Sequence, residues 1–381
     1  MLPRGFTCAN TNCGLKQREP DLALFFSEVP ASAAALFTRN QFPGAPVIVG
    51  REIIKAGRLQ GIVVNSRVSN VGTGAAGLEN ARRMGRAAAR ELGIASELVL
   101  MSSTGVIGVP LPVEKIEHGL NGLKRRLQQD PFVGARGIMT TDTHPKALSV
   151  PVGDATITMV AKGAGMIEPN MATMLCYIFT DAAFEAAELD EMLRAAAHVS
   201  LNMLSIDSDT STSDTCVIMA NGLAGAVDRE KFASTLRAAC VRMAEMLARD
   251  GEGATKLLRV HVDGAVSEPE ARVIAKAIVN SPLVKTMAYG ADPNVGRLLM
   301  AIGKNFEASI VREKVNAWIN QTQVVRAGTR ADFDDTALRE LLRGDPIDIR
   351  VDMGVGSGSA LAFGCDLTEG YINENAAYYS S

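Results

Sequence analysis

Residues 162–181 read KGAGMIEPNMATMLCYIFTD, and the fold is decided by how they are read. Gly163, Ala164 and Gly165 tolerate unusual backbone geometry, and Pro169 narrows the options further along. The pair Ala172-Thr173 follows, and then an unbroken apolar run from Met174 to Phe179. A short apolar run bounded by turn residues predicts a buried strand, so one hydroxyl sits at a loop-to-strand junction. Taken alone, a threonine there is an ordinary strand residue. The chemical alternative is a cut before Thr173, which would place a hydroxyl and a new α-amino group on one residue. A free amine activates a threonine hydroxyl without any histidine.

Working outward, helix and strand patterns alternate. Leu78, Ala81, Met84, Ala88 and Leu92 recur at helical spacing and stop near Gly93. A second helix is predicted from about Asp190 to Leu204. A third begins after Asp228 as N-cap, carries Phe232, Leu236, Cys240, Met243 and Leu247, and stops at Gly251 as a C′ glycine. Ser267-Glu268-Pro269-Glu270 fits a capping box with an early proline. Strands are predicted at Gly61 to Val64, Glu97 to Met101, Leu257 to Gly264 and Ile347 to Met353. This mixture implies α/β or α+β layers. The segment from about 305 to 346 is more charged and suits a smaller C-terminal lobe.

The 381 residues suffice for two domains, or for one large domain with a subdomain, and the 47% hydrophobic content supports a sizeable core. A formal charge of −3 without a long basic block argues against nucleic acid as the main partner. The opening MLPRGFTCAN lacks a basic-then-apolar pattern, and no apolar run approaches a membrane span. The expectation is a soluble, cytoplasmic protein. The 6 cysteines form no CxxC pair, and Cys176 and Cys240 read as core thiols of a reducing compartment. The 4 histidines show no zinc spacing, so no metal is expected.

Other segments carry polar chemistry. Met101 to Gly108 follows a strand pattern, and its hydroxyls and backbone N–H groups around Gly105 could form an oxyanion hole or an ordinary strand-to-turn junction. Thr140 to His144 and Ser205 to Thr215 are dense in hydroxyls and carboxylates, which suits turn capping and a polar pocket better than a cation site. Asp250 to Lys256 lacks the order of a phosphate loop, and Glu252 between two glycines could instead face an ammonium. Gly354 to Gly358 reads as a tight connection between strands.

Together, KGAGMIEPNMATML, STGVIG, TTDTHPK, SIDSDTSTSDT, DGEGATK, NSPLVKT, ADPNVGR and GCDLTEGY resemble the ornithine acetyltransferase (glutamate N-acetyltransferase) family, in the same order over nearly the whole chain. The resemblance implies self-cleavage between Ala172 and Thr173 into an α chain, 1–172, and a β chain, 173–381, which stay associated, commonly as α2β2. It implies acetyl transfer from N2-acetyl-L-ornithine to L-glutamate through an acetyl-threonine intermediate, with no cofactor. Some members also take acetyl from acetyl-CoA. Carried over, Thr173 is the nucleophile with its α-amine as base. Thr104 and Gly105 match the oxyanion-hole pair, and Thr140, Lys162, Glu252, Asn375 and Ser380 match substrate-binding positions. Val295 stands where the family usually has tryptophan, and Ser380 where it has threonine. The implied fold is a four-layer αββα core shared with self-cleaving aminopeptidases, plus a smaller C-terminal lobe at about 265–350. A self-cleaving threonine amidohydrolase or aminopeptidase of the same fold is the alternative reading.

Overall fold

In the computed structural model, which describes residues 1–168 and 174–376, the chain forms two units. The first comprises Met1–Gly163, Pro169–Asn202 and Thr210–Met243. Its elements are β1 (Phe6–Thr11), β2 (Leu22–Phe37), α1 (Ala45–Ile53), β3 (Arg58–Asn65), α2 (Gly74–Leu92), β4 (Val99–Ser103), α3 (Val113–Leu120), α4 (Pro131–Ile138), β5 (Lys146–Val152), β6 (Ala155–Lys162), β7 (Leu175–Ala182), α5 (Ala186–His198) and β8 (Thr215–Gly225), followed by α6 (Arg229–Arg249) up to Met243. The strands join in the order β4-β3-β2-β8-β7-β6-β5, with β1 on β2.

The long strand β2 explains how one sheet makes two layers. Its pairing with β3 breaks register between Phe26 and Ala31, and from Ser32 to Phe37 it pairs with β8. A bulge bends a strand, so β2 passes from the β1–β4 layer into the β5–β8 layer. Phe25, in the first half of β2, consequently packs across the interior on Phe179 at 5.2 Å and Tyr177 at 5.4 Å. Phe6, Ile62, Val160, Val217 and Met219 fill the same interior. On the outer side of the first layer, Leu24, Val63 and Met101 pack against α1, α2 and α3. On the second layer α5 packs on β2, and Phe184 meets Phe232 of α6 at 4.6 Å. The expected αββα layering is therefore present within this unit. Every residue of β7 is buried, as the apolar run after Thr173 predicts. The Cys176, Cys216 and Cys240 thiols lie together, and a hydrogen bond with Cys216 and then burial push the Cys176 thiol well up.

The second unit comprises Ala164–Glu168, Met203–Asp209 and Ala244–Ser381. Its elements are β9 (Leu257–Ala265), α7 (Glu268–Val279), α8 (Pro282–Tyr289), α9 (Gly296–Gly303), β10 (Asn316–Ile319), β11 (Thr322–Arg326), β12 (Thr329–Arg330), α10 (Asp335–Leu342), β13 (Ile347–Asp352), β14 (Gly358–Cys365) and α11 (Glu369–Asn375). The sheet runs β12-β11-β10-β13-β9-β14. Only the β9–β13 pair within it is parallel. Alternation is clean in β13, where Ile347, Ile349 and Val351 are buried and Asp348 and Arg350 exposed. Ala271, Ile274 and Ile278 turn α7 onto β9 and β14.

Local signals set several boundaries as expected. Gly93 ends α2 at φ 74 and donates its N–H to the Ala89 carbonyl at 2.8 Å. Ser267 caps α7 by accepting from the Glu270 N–H, and Asp228 caps α6 by accepting from the Lys231 N–H at 2.7 Å. Three expectations need correction. The helix predicted from Asp190 begins at Ala186, because Glu185 and Glu188 form a reciprocal capping box, and it ends at His198. The strand predicted from Glu97 begins at Val99, after a 3-10 turn over Ser96–Leu98. Gly251 has no left-handed φ. A Cβ there would lie 2.7 Å from the Cys365 Sγ, so the glycine serves close packing rather than a C′ turn.

Candidate active site

Within the first unit, Thr104 follows β4, and Lys162 is the last residue of β6, paired with Leu175 at the start of β7. Lys162 is 8% exposed, and its Nζ donates to Thr140 Oγ1 at 2.8 Å and to Thr104 Oγ1 at 3.2 Å. Three residues named by the family resemblance thus meet around one ammonium group. The Thr104 N–H donates to the Asn65 carbonyl at 3.0 Å, and the Val106 N–H to Arg67 at 2.9 Å. No acceptor for the intervening Gly105 N–H is found among the described residues. An oxyanion hole built here therefore uses the Gly105 N–H and the Thr104 side chain, not both backbone N–H groups. Gly105 has φ +127, and a Cβ would lie 2.2 Å from the Arg67 carbonyl carbon, so no other residue fits.

Asp142 holds this cluster, a role the sequence reading did not assign. One carboxylate oxygen accepts from Lys146 Nζ and from the Gly163 N–H, each at 2.7 Å, and the other accepts from the Thr140 N–H at 3.0 Å. The side chains of Asp142 and Lys146 are 0% exposed. Burial pushes the Asp142 carboxyl up. The Lys146 and Lys162 ammonium groups and the hydrogen bonds outweigh it and bring the carboxyl to about 2. The available signal was Asp142 within the hydroxyl cluster of TTDTHPK and Lys146 at its end. Lys16 also lies near, donating to the Met139 carbonyl at 2.7 Å. Burial lowers its pKa, Asp21 opposes, and Lys162 lowers it further.

Within the second unit, Glu252 is 9% exposed, and its carboxylate accepts from Asn375 Nδ2 at 2.7 Å. A Cβ on Gly165 would lie 2.2 Å from that carboxylate, so only glycine lets the acid lie against this backbone. The Glu252 N–H donates to the Ala164 carbonyl at 2.8 Å. Asp207 accepts from the N–H groups of Met166 at 2.6 Å and Ile167 at 2.8 Å, so this carboxylate of SIDSDTSTSDT caps a turn as expected. The Tyr371 hydroxyl donates to Asp207 at 3.3 Å. Burial, Asp207 and Glu252 all raise its pKa. Lys256 donates to the carbonyls of Ala288 at 2.6 Å and Leu342 at 2.8 Å, which agrees with rejecting a phosphate loop there. Among the described residues no group of His, Cys, Asp or Glu could hold a metal ion, and no helix is long and apolar enough to cross a membrane. Ala172, Thr173 and Ser380 lie outside the described residues.

Comparison with known proteins adds the following. The family model described as "ArgJ family" matches residues 7–380. "Arginine biosynthesis bifunctional protein ArgJ 2" of Clostridium acetobutylicum is 47% identical over 380 residues, 99% of this chain and 98% of its own. "Glutamate N-acetyltransferase Oat2" of Streptomyces clavuligerus is 44% identical over 383 residues, 99% of this chain and 98% of its own. Among solved structures, the arginine biosynthesis bifunctional protein argJ of Bacillus halodurans is 38% identical with a TM-score of 0.52. The match covers 54% of this chain and 100% of that chain.

Proposed function

This chain belongs to the ArgJ family, and we propose that it transfers an acetyl group from N2-acetyl-L-ornithine to L-glutamate through an acetyl group carried on Thr173. The observation that carries the reading is the Lys162 ammonium held by the hydroxyls of Thr104 and Thr140 beside the start of β7. A buried, oriented ammonium is a receptor for a carboxylate, and the strand it flanks begins two residues after the expected nucleophile. The Bacillus halodurans chain is matched in full by only 54% of this one. That share suits one product of a cut near the middle and supports cleavage between Ala172 and Thr173.

In the proposed reaction the Thr173 α-amine takes the hydroxyl proton as Oγ1 attacks the acetyl carbonyl. The Gly105 N–H and Thr104 stabilise the oxyanion, which is where preorganised donors act most strongly. The ammonium then gives its proton to the departing ornithine nitrogen, leaving acetyl-threonine. Glutamate enters, its amine attacks, and the same steps run in reverse, so the kinetics are ping-pong. Lys162 and Thr140 hold a substrate carboxylate, while Glu252, with Asn375 and Ser380, holds the side-chain ammonium of the ornithine half. No metal or cofactor takes part. The two products remain together, in an α2β2 assembly located in the cytoplasm.

Intact mass spectrometry with and without N-acetylornithine tests this. The expected result is two fragments divided before Thr173, with an added mass of about 42 Da on the C-terminal fragment, as for any acetyl carried on a nucleophilic side chain. A Thr173→Ala protein that still divides and transfers acetyl overturns the reading. Acetate release without N-acetylglutamate would favour the amidohydrolase instead.

A further inference from the structure

Thr104 and Gly105 lie where β3 and β4 briefly part. The strands pair in parallel as far as Asn65 and Ser103, and they meet again at Val68 and Val106 in the same register. Ser66 and Arg67 lie across this interval from Thr104 and Gly105. Arg67 has φ 83, a left-handed conformation that a residue with a Cβ keeps only where its surroundings impose it. Asn65 reaches every part of the interval, and it is fully buried. Its backbone carbonyl accepts from the Thr104 N–H at 3.0 Å. Its Oδ1 accepts from the Ser103 hydroxyl at 2.5 Å, and its Nδ2 donates to the Val68 carbonyl at 2.8 Å. One side chain thus clamps the last residue of β4 to the point where the strands rejoin. Beyond Gly105, the Val106 N–H closes on the Arg67 carbonyl at 2.9 Å. Ser66 is fixed by other neighbours, its N–H on the Asp21 carbonyl at 2.8 Å and its hydroxyl on the Gly137 carbonyl at 3.3 Å.

We propose that Asn65 is a positioning residue for acetyl transfer, acting through Gly105. It holds the parted strands in one arrangement, and the Gly105 N–H between its two tied neighbours then keeps one direction. The inference rests on the reading that this N–H stabilises the oxyanion. A donor acts there only when it is already in place, and a displacement of about 1 Å costs about 10²-fold in rate. Thr140 and Gly163 are held by Asp142 instead, so the carboxylate receptor does not depend on Asn65. Loss of the asparagine side chain therefore falls on kcat and spares KM. A residue that only stabilised the fold would lower stability and leave kcat per competent site as it was.

Asn65→Ala is compared with Gly105→Ala and with the double variant. Acetyl label taken up from N-acetylornithine without glutamate counts the competent sites, and steady-state transfer to glutamate gives kcat per site. In Asn65→Ala, kcat is expected to fall about 10²-fold with the KM for N-acetylornithine unchanged. The double variant is expected to be no slower than Gly105→Ala, because both changes act on one N–H. Wild-type kcat in Asn65→Ala, or losses that multiply in the double variant, overturns the inference and leaves the oxyanion hole standing. Wild-type kcat in Gly105→Ala overturns the oxyanion reading itself. If Asn65→Ala does not fold or does not divide, Ser103→Ala decides. It removes only the hydrogen bond to Oδ1 and is expected to lower kcat by about 3- to 10-fold at unchanged KM. Wild-type kcat in that variant overturns the inference as well.

Discussion

Replacing Asp142 by asparagine removes one negative charge from a site where Lys146 and Lys162 bring two positive ones. Both Asp142 and Lys146 side chains are 0% exposed, and their 2.7 Å contact is lost in its ionic form. Asparagine retains one acceptor oxygen for the Gly163 or Thr140 N–H, but its amide nitrogen cannot accept from Lys146. Breaking a buried pair from one side costs about 3–5 kcal/mol, because the Lys146 ammonium stays buried after losing this carboxylate. Asp142→Asn is therefore expected to lose about that much in urea unfolding of the uncut Thr173→Ala background, which keeps the transition unimolecular. The pH dependence has a definite sign. The folded carboxyl sits at about 2, against an ordinary value of 3.8, so its contribution is fully present above the unfolded value and is lost as pH falls through the folded one. At roughly 1.4 kcal/mol per unit, the wild type should lose about 2 kcal/mol between about pH 4 and pH 2 through this group. The asparagine protein should not show that component. A destabilisation below about 1 kcal/mol, or an unchanged acid limb, would refute the reasoning. Lys146→Met combined with Asp142→Leu should recover part of the loss, though not all, since the Gly163 and Thr140 N–H groups would still lack their acceptor.

Two further outcomes are expected. Lys162→Met should raise the KM for the acetylated donor by roughly 10- to 100-fold, the worth of a charge-assisted hydrogen bond of about 1.5–3 kcal/mol. Steady-state kinetics on folded protein check this, and an unchanged KM counts against the carboxylate role. Gly105→Ala should lower kcat by about 10²–10³-fold, the usual loss when an oxyanion donor is displaced. The added Cβ would lie 2.2 Å from the Arg67 carbonyl carbon and force the N–H out of place.

What the sequence made legible was mostly what periodicity and local chemistry encode. The run after Thr173 predicts β7, the 81-84-88-92 spacing predicts α2, and Ser267 predicts the start of α7; the structure has all three. The α5 start was missed because Glu185 is an uncommon cap, and its reciprocal bond with Glu188 is invisible to composition. The layering was legible only through resemblance. A bulge in β2 that carries one strand into two layers leaves no periodic trace. The same holds for Asp142 and Lys146. Their spacing is that of a helix pair, yet they lie in a loop and at the start of β5, where tertiary burial creates the interaction. Glu252 and Asn375 are 123 positions apart, and only the fold brings them to 2.7 Å.

Strand order gives the proposed cut a thermodynamic consequence. The sequence β2-β8-β7-β6 places strands from 1–172 on both flanks of the two strands that follow Thr173. Ser32–Phe37 ladders with Thr215–Ala220 on one side, and Ile157–Lys162 with Leu175–Thr180 on the other. Neither fragment owns the complete eight-stranded sheet, so the polypeptide must close that sandwich while it is still one molecule. After division the ladders remain but the tether is gone. Unfolding then becomes dissociation, with a midpoint that depends on protein concentration. Refolding becomes a bimolecular encounter between two pieces with unpaired edges, each exposed to aggregation. Maturation would thus turn a reversible folder into a protein that folds once, and the uncut Thr173→Ala chain is the form in which reversibility would be retained.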